Sequence, residues 1–211
     1  MTQGIETSYA GITFRSRLDA RWAAMFNLVG WRWTYEPFDG AGYIPDFTLD
    51  GPNPLLIEIN PAVTIGELLD HLNRPVAAMR SQWPHAIAVF GGTVEPSGPM
   101  VAARVERGEY GLNLGAIAAV IDDDIAASMH SSHYLADDEQ LDPDYRDQCL
   151  WWVCTTCNRF AIRHELMFWR AVWPCGHTTF RRPTASDIDV LDGYWADASN
   201  RVRWNPRGRH G

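Results

Sequence analysis

Tyr43-Ile-Pro-Asp-Phe-Thr-Leu49, then Asp50-Gly-Pro-Asn-Pro54, then Leu55-Leu-Ile-Glu-Ile59: this stretch decides the fold. Two apolar runs of strand length flank a loop of turn-forming residues, so the chain reads as strand, turn, strand. Upstream, Trp31 to Tyr35 reads as a short strand that ends at Glu36-Pro37, and Asp39-Gly-Ala-Gly42 is a turn signal. Before it, Leu18, Trp22, Met25, Phe26 and Val29 recur at helical spacing, which predicts an amphipathic helix over Phe14 to Val29 stopped by Gly30. Downstream, Thr64-Ile-Gly-Glu67 has the form of a capping box that opens a helix through Leu68, Leu69 and Leu72. Pro75 is expected to kink or split this helix before Met79. His85 to Phe90 is a further buried strand, closed by Gly91-Gly92. This order predicts an α/β fold, a mixed central sheet flanked by helices.

Past Phe90 the pattern thins. Gly115 to Ile121 reads as another strand, and Asp122 to Asp147 as an acidic, turn-rich connector. Cys149 to Phe180 carries the cysteines, Ala185 to Val202 has helical character, and the tail from Arg203 is expected to fray. The expected organisation is an α/β core over residues 1–121, a connector over 122–148, and a small zinc-binding module with a C-terminal helix over 149–211.

The 211 residues are 46% apolar and 21% charged, the balance of a soluble globular chain. No apolar run is long enough to span a bilayer and no basic-plus-apolar leader follows Met1, so the expected setting is cytoplasmic and reducing, with no membrane partner. Four cysteines in such a setting favour metal over disulfides. The formal charge of −8 argues against an indiscriminate nucleic-acid binder. Its distribution is uneven, however: nine acids face one arginine from Asp122 to Asp147, whereas five arginines face Glu165 alone from Trp151 to Arg182. All 18 basic residues are arginine. No step can therefore use a lysine amine, and a guanidinium is too strongly basic to serve as a proton acceptor.

Asp19, Asp46 and Glu58 form the first chemical constellation. A glutamate inside Leu-Leu-Ile-Glu-Ile and an aspartate inside Ile-Pro-Asp-Phe are costly to bury unless paired. Adjacent strands that each present a carboxylate make a divalent-cation site, and hard oxygen ligands suit Mg²⁺ or Mn²⁺. The alternative is a pair of hydrogen-bonded strand acids with no metal.

Phe14-Arg-Ser-Arg-Leu-Asp-Ala-Arg-Trp-Ala23, Tyr35-Glu-Pro37, Tyr43-Ile-Pro-Asp-Phe47 and Ile57-Glu-Ile-Asn-Pro61, taken in order over residues 12 to 92, resemble the PD-(D/E)XK (restriction-endonuclease-like) nuclease superfamily. They are most similar to its small bacteriophage-borne members and its transposon-end-cleaving endonucleases. The resemblance implies that Asp46 and Glu58 are the motif acids and metal ligands, with the Ile59 carbonyl as a further ligand. It implies that Asp19 is the helix acid, and that Arg15 and Arg17 meet a phosphate. Where the family carries lysine this chain has Asn60, an amide that can hydrogen-bond a water but holds no charge.

Cys154-Thr-Thr-Cys157 is followed, after a 17-residue spacer, by Cys175-Gly-His177. A C-x-x-C turn places two thiolates on one ion, and a second knuckle completes a tetrahedron with His177 as the fourth ligand. Such a filled Zn²⁺ site is structural. Cys149 in place of His177, a redox pair at Cys154 and Cys157, or plain buried thiols are the alternatives. Arg159, Arg163, Arg170, Arg181 and Arg182 are interleaved with Trp152, Phe160, Trp169 and Trp173. That pattern fits DNA contact with base stacking, or equally a miniature core with exposed cations.

These readings lead to one expectation and a rival. The expectation is a Mg²⁺- or Mn²⁺-dependent DNA endonuclease with Asp19, Asp46, Glu58 and Asn60 at its centre and a zinc module that assists DNA binding. The rival is a catalytically inactive nuclease fold that binds nucleic acid or a protein partner.

Overall fold

The computed structural model describes residues 4–40, 42–51, 54–79, 83, 85–93, 113–118, 148–164 and 175–203. Within them the order is β1 (Thr7–Tyr9), β2 (Ile12–Phe14), α1 (Arg17–Val29), β3 (Trp33–Tyr35), β4 (Phe47–Leu49), β5 (Leu55–Ile59), α2 (Ile65–Met79), β6 (Ile87–Phe90), β7 (Asn113–Ala118), β8 (Gln148–Cys154), β9 (Phe160–His164), β10 (Phe180–Arg181) and α3 (Ala185–Arg201). The acidic connector lies outside the described residues.

The first helix starts later than its apolar spacing suggests. Ala10 and Gly11, at φ 51° and 80°, turn the chain between β1 and β2, a left-handed pair that suits a two-residue hairpin. Phe14 therefore ends a strand. Ser16 then caps α1: its hydroxyl accepts the Asp19 N–H, while Asp19 reaches back to the Ser16 N–H. At the other end Gly30 takes the left-handed conformation at φ 76° and stops the helix, as expected. The box at Thr64 and Glu67 also forms. Pro75 does not split α2, which is one helix through Met79. Proline there withholds one N–H, and burial of Leu68, Leu72, Val76 and Met79 offsets that loss.

Strands β3, β4, β5, β6, β7 and β8 lie side by side in that order, and β9 and β10 also pair with β8. The pair β5–β6, joined through α2, is parallel, and the other pairings are antiparallel. Alternate residues of β5 and β6 face opposite layers. Leu55, Ile57, Ala88 and Phe90 pack with α1 and α3, whereas Leu56, Ile87 and Val89 pack with α2. Coverage on both faces explains why these strands read as unbroken apolar runs.

The cysteine-bearing segment is not set apart from this core. β8 is a full member of the sheet, and Trp151, Val153, Phe160 and Ile162 share a cluster with Trp22, Phe26 and Phe47. Trp31 stacks on Trp151 at 5.3 Å and donates its indole N–H to the Phe160 carbonyl. Trp22 lies under α3, 4.8 Å from Trp195, and donates to the Gly91 carbonyl. No helix among the described residues is long and apolar enough to cross a membrane.

Trp22→Ala removes a fully buried indole packed on Phe26, Phe90 and Trp195. It should cost about 3–5 kcal/mol in urea unfolding, whereas Val190→Ala on the exposed side of α3 should stay within about 0.5 kcal/mol. Equal costs would mean that the α1–sheet–α3 layering is wrong.

Candidate functional site

The register of β4 and β5 decides where the two motif acids point. Phe47 pairs with Ile57, so the register continued one step beyond β4 would set Asp46 across from Glu58. Residues directly opposite on antiparallel strands project to the same side. Asp46 is buried, and the Tyr43 hydroxyl donates to Glu58 Oε2 at 2.5 Å. Asp46 is held at both oxygens: Oδ1 accepts from the Arg15 guanidinium at 2.7 Å and Oδ2 from the Ile59 N–H at 2.7 Å. The second of these bonds ties the last residue of β5 to the residue just before β4.

Asp19 joins the same neighbourhood from α1. It is 5% exposed, accepts the Ser16 N–H and hydroxyl, and receives the Tyr35 hydroxyl at 3.4 Å. The Arg15 N–H donates to that same Tyr35 oxygen, and Arg15 Nε reaches Glu36 at 2.7 Å. Tyr35, Glu36, Tyr43 and Ser16 are therefore site residues that sequence reasoning missed. Their signals were present in Ser16-x-x-Asp19 and in the Tyr-Glu-Pro and Tyr-Ile-Pro triplets, which were read only as a motif and as strand ends.

The electrostatics follow from crowding buried acids. Burial, then the charges of Glu58 and Asp19, push Asp46 up to about 8. The Ile59 N–H and Arg15 pull the other way and lose. Burial likewise raises Glu58 against Tyr43, Arg74 and Arg15, and raises Asp19 against its Ser16 bonds. Burial lowers Arg15, but Tyr35, Asp46 and Glu36 together more than reverse it, so the guanidinium stays charged. Three acids thus crowd around Arg15, with Arg74 also acting on Glu58, and Asp46 holds its proton more tightly than an ordinary aspartate. The carboxylates do not form a tight cage. Among the described residues, only the cysteine–histidine group brings three or more candidate ligand atoms within 4.8 Å of one another.

Two expectations take a different form here. Asn60 Oδ1 accepts the Ala62 N–H at 3.0 Å in a local turn, which leaves its amide donors and one oxygen lone pair to offer a water. At Ile59 the contact to Asp46 is made by the N–H.

The cysteine cluster assembles from both knuckles. Cys154 ends β8, and the turn closes through the Asn158 N–H to the Cys154 carbonyl and the Cys154 N–H to the Arg159 carbonyl. Thr155 bonds the Thr179 carbonyl and hydroxyl, and so docks the second knuckle, where Gly176 turns at φ 68°. Cys154, Cys157, Cys175 and His177 then hold their ligand atoms within 4.8 Å, with Cys154 Sγ 3.3 Å from His177 Nδ1. This group could hold a metal ion such as zinc. Cys149 lies five residues back along the same strand, about 16 Å away by strand rise. The fourth position therefore belongs to His177. Burial opposes ionisation of Cys154, yet the N–H groups of Cys157 and Thr156 and the neighbouring thiols bring it down to about 6. Burial and those same sulfurs push Cys175 up to about 11. One thiolate forms readily, and further ones call for a cation.

Of the arginines expected on DNA, Arg181 is committed elsewhere. It makes a two-pronged pair with Asp187, at 2.6 and 3.2 Å, and also reaches Asn158. Asp187 in turn accepts the Thr184 N–H at the start of α3. Arg17 and Arg159 are exposed, and exposed Arg182 sits 5.9 Å from the Trp152 ring. Trp152 and Phe160 are buried, so those two aromatics are core and not stacking platforms. The side chain of Arg163, with Arg170, Trp169 and Trp173, lies outside the described residues.

Protonated Asp46 favours the folded state, because its folded-state proton affinity exceeds the unfolded one. That stability is fully present below its ordinary value of 3.8 and is lost as pH rises through about 8. Metal-free protein should therefore melt at progressively lower temperature from acid toward pH 8, and Asp46→Asn should flatten the slope; an unchanged slope contradicts the buried-acid pocket. Stripping metal with a strong chelator should cost about 3 kcal/mol or more and lower Tm by roughly 6–12 °C, with Cys154→Ser giving the same loss. An unmoved Tm would mean that the cysteine cluster carries no structural ion. No family model, curated protein or solved structure matches this chain, so its function is argued from the geometry of these two clusters.

Proposed function

We propose that the chain is a divalent-metal-dependent DNA endonuclease of the PD-(D/E)XK type, with a structural zinc knuckle built into its sheet. The observation that carries this reading is buried Asp46, just before β4 where the β4–β5 register continued by one step would face Glu58, with its proton affinity raised by burial and then by the charges of Glu58 and Asp19. Asp46 and Glu58 would hold Mg²⁺ or Mn²⁺, with Asp19 next to them on α1. Such an ion supplies Lewis acidity toward a phosphoryl oxygen and lowers the proton affinity of a bound water.

The chain's own residues have defined tasks. Tyr43 fixes the Glu58 carboxylate by its hydrogen bond, and the Ile59 N–H fixes that of Asp46. Hydrolysis joins the oxygen of water to phosphorus and breaks the bond to the leaving sugar oxygen, which takes up a proton. With no lysine in the chain, the proton released by the attacking water passes to a carboxylate or to solvent. Zinc at the cysteine knuckle would hold β8, β9 and β10 together, leaving Arg159 and Arg182 free to meet a phosphate backbone.

A second reading is an inactive nuclease fold that binds DNA or a protein. It is favoured by Arg15 already bonded to Asp46 and by the turn that occupies Asn60. Purified protein given Mg²⁺ or Mn²⁺ and duplex or single-stranded DNA should cleave it, and Asp46→Asn or Glu58→Gln should abolish cleavage without unfolding the chain. Cleavage that survives both substitutions overturns the assignment. DNA binding with no product under any metal selects the second reading.

A further inference from the structure

Arg15 is the one cation bonded to the acid pocket among the described residues, and its surroundings suggest that it can leave. Its backbone is pinned between β2 and the Ser16 cap, with its N–H donated to Tyr35. Its side chain is 55% exposed and bridges two acids, Asp46 through a terminal nitrogen and Glu36 through Nε. Asp46 is the opposite case: its side chain is 8% exposed, and its other oxygen is fixed by the Ile59 N–H. The immobile partner is the acid, and the movable one is the guanidinium.

A divalent ion bound by Asp46 and Glu58 needs an oxygen of Asp46, and Oδ1 is the one Arg15 now occupies. Two cations on one buried carboxylate repel at close range. We infer that Arg15 is a resident counter-ion that an incoming divalent cation displaces, and that the freed guanidinium then binds a phosphate of the substrate. This rests on reading the acid pocket as a divalent-cation site. A guanidinium suits the second task, because its planar fork matches two phosphate oxygens and it remains charged throughout. The exchange makes phosphate binding follow metal binding. Without the ion, Arg15 stays on Asp46 and its guanidinium is not available to a phosphate.

The test uses the full chain with zinc already loaded, and Mn²⁺ alone as the probe, titrated by calorimetry or electron paramagnetic resonance. Arg15→Gln should bind Mn²⁺ roughly two- to fivefold more tightly than the unaltered chain, the weight of a half-exposed ion pair. Arg15→Lys, which keeps a charge but loses the fork, should fall between them and serves if the glutamine variant folds poorly. Arg32→Gln, exposed and outside the pocket, is the control. Cleavage should move the opposite way, falling in Arg15→Gln while metal affinity rises. General structural damage would weaken both. Mn²⁺ affinity unchanged in Arg15→Gln but lost in Asp46→Asn overturns the displacement and leaves the metal site standing. No Mn²⁺ bound by the unaltered chain at any acid overturns the cation site itself, and the displacement with it.

Discussion

Two carboxylates placed directly opposite each other on adjacent strands repel, and much of the architecture around β4 and β5 answers that repulsion. Asp46 lies where the β4–β5 register would set Glu58 across from it. Burial raises the cost for each. Nothing apolar can neutralise them, so polar groups converge: Arg15 and the Ile59 N–H on Asp46, Tyr43 on Glu58, and Ser16 and Tyr35 on Asp19. The set still leaves Asp46 harder to ionise than an ordinary aspartate. Acids that stay this hard to ionise after their hydrogen bonds are made cost the fold stability as pH rises.

The energy that tolerates this pocket comes from the aromatic core behind it. Phe47, one residue from Asp46, packs against Phe14, Phe26, Trp33 and Tyr35. Trp22 ties α1 to α3 and to β6, and Trp31 ties the start of β3 to β8 and β9. The same sheet that presents the acids also carries Cys154 at the end of β8. The knuckle fixes Asn158 and β10, Arg181 of β10 holds Asp187 at the start of α3, and α3 lays Trp195 over Arg21 and Trp22 of α1. A metal ion at the cysteines would therefore support a helix that packs on the one bearing Asp19.

Local features were legible in the sequence because local physics decides them. The apolar run Leu55–Ile59 is a strand at both predicted ends, Gly30 stops α1, and Thr64 with Glu67 caps α2. The spacing of Cys154, Cys157, Cys175 and His177 was enough to bring four ligands together. What the sequence hid depends on partners far along the chain. Gln148–Cys154 reads as the start of a module, yet its edges find β7 and β9, and no local pattern announces that pairing. Arg181 looks like a free cation until α3 delivers Asp187 beside it. Helical periodicity ran through Phe14 because its ring is buried either way, and only the left-handed turn at Ala10-Gly11 shows that it ends a strand. Tyr43 belongs to a strand by composition but sits in a bridge with Gly40, and this detour brings its hydroxyl to Glu58.

The missing lysine takes a different meaning in this setting. A lysine beside buried carboxylates can both carry charge and, once deprotonated, take a proton. Arginine does only the first. With arginine as the sole strong base in the chain, positive charge at the acid pocket can be moved but not titrated away, and Arg15 is long and exposed enough to be moved. On the proposed reading, a proton released by water would fall to groups whose affinity lies within reach of neutral pH. Burial and mutual repulsion have shifted Asp46 into that range. The crowding that makes Asp46 costly to ionise is thus also what brings its proton affinity near neutral pH, so both properties come from the same placement of the acids.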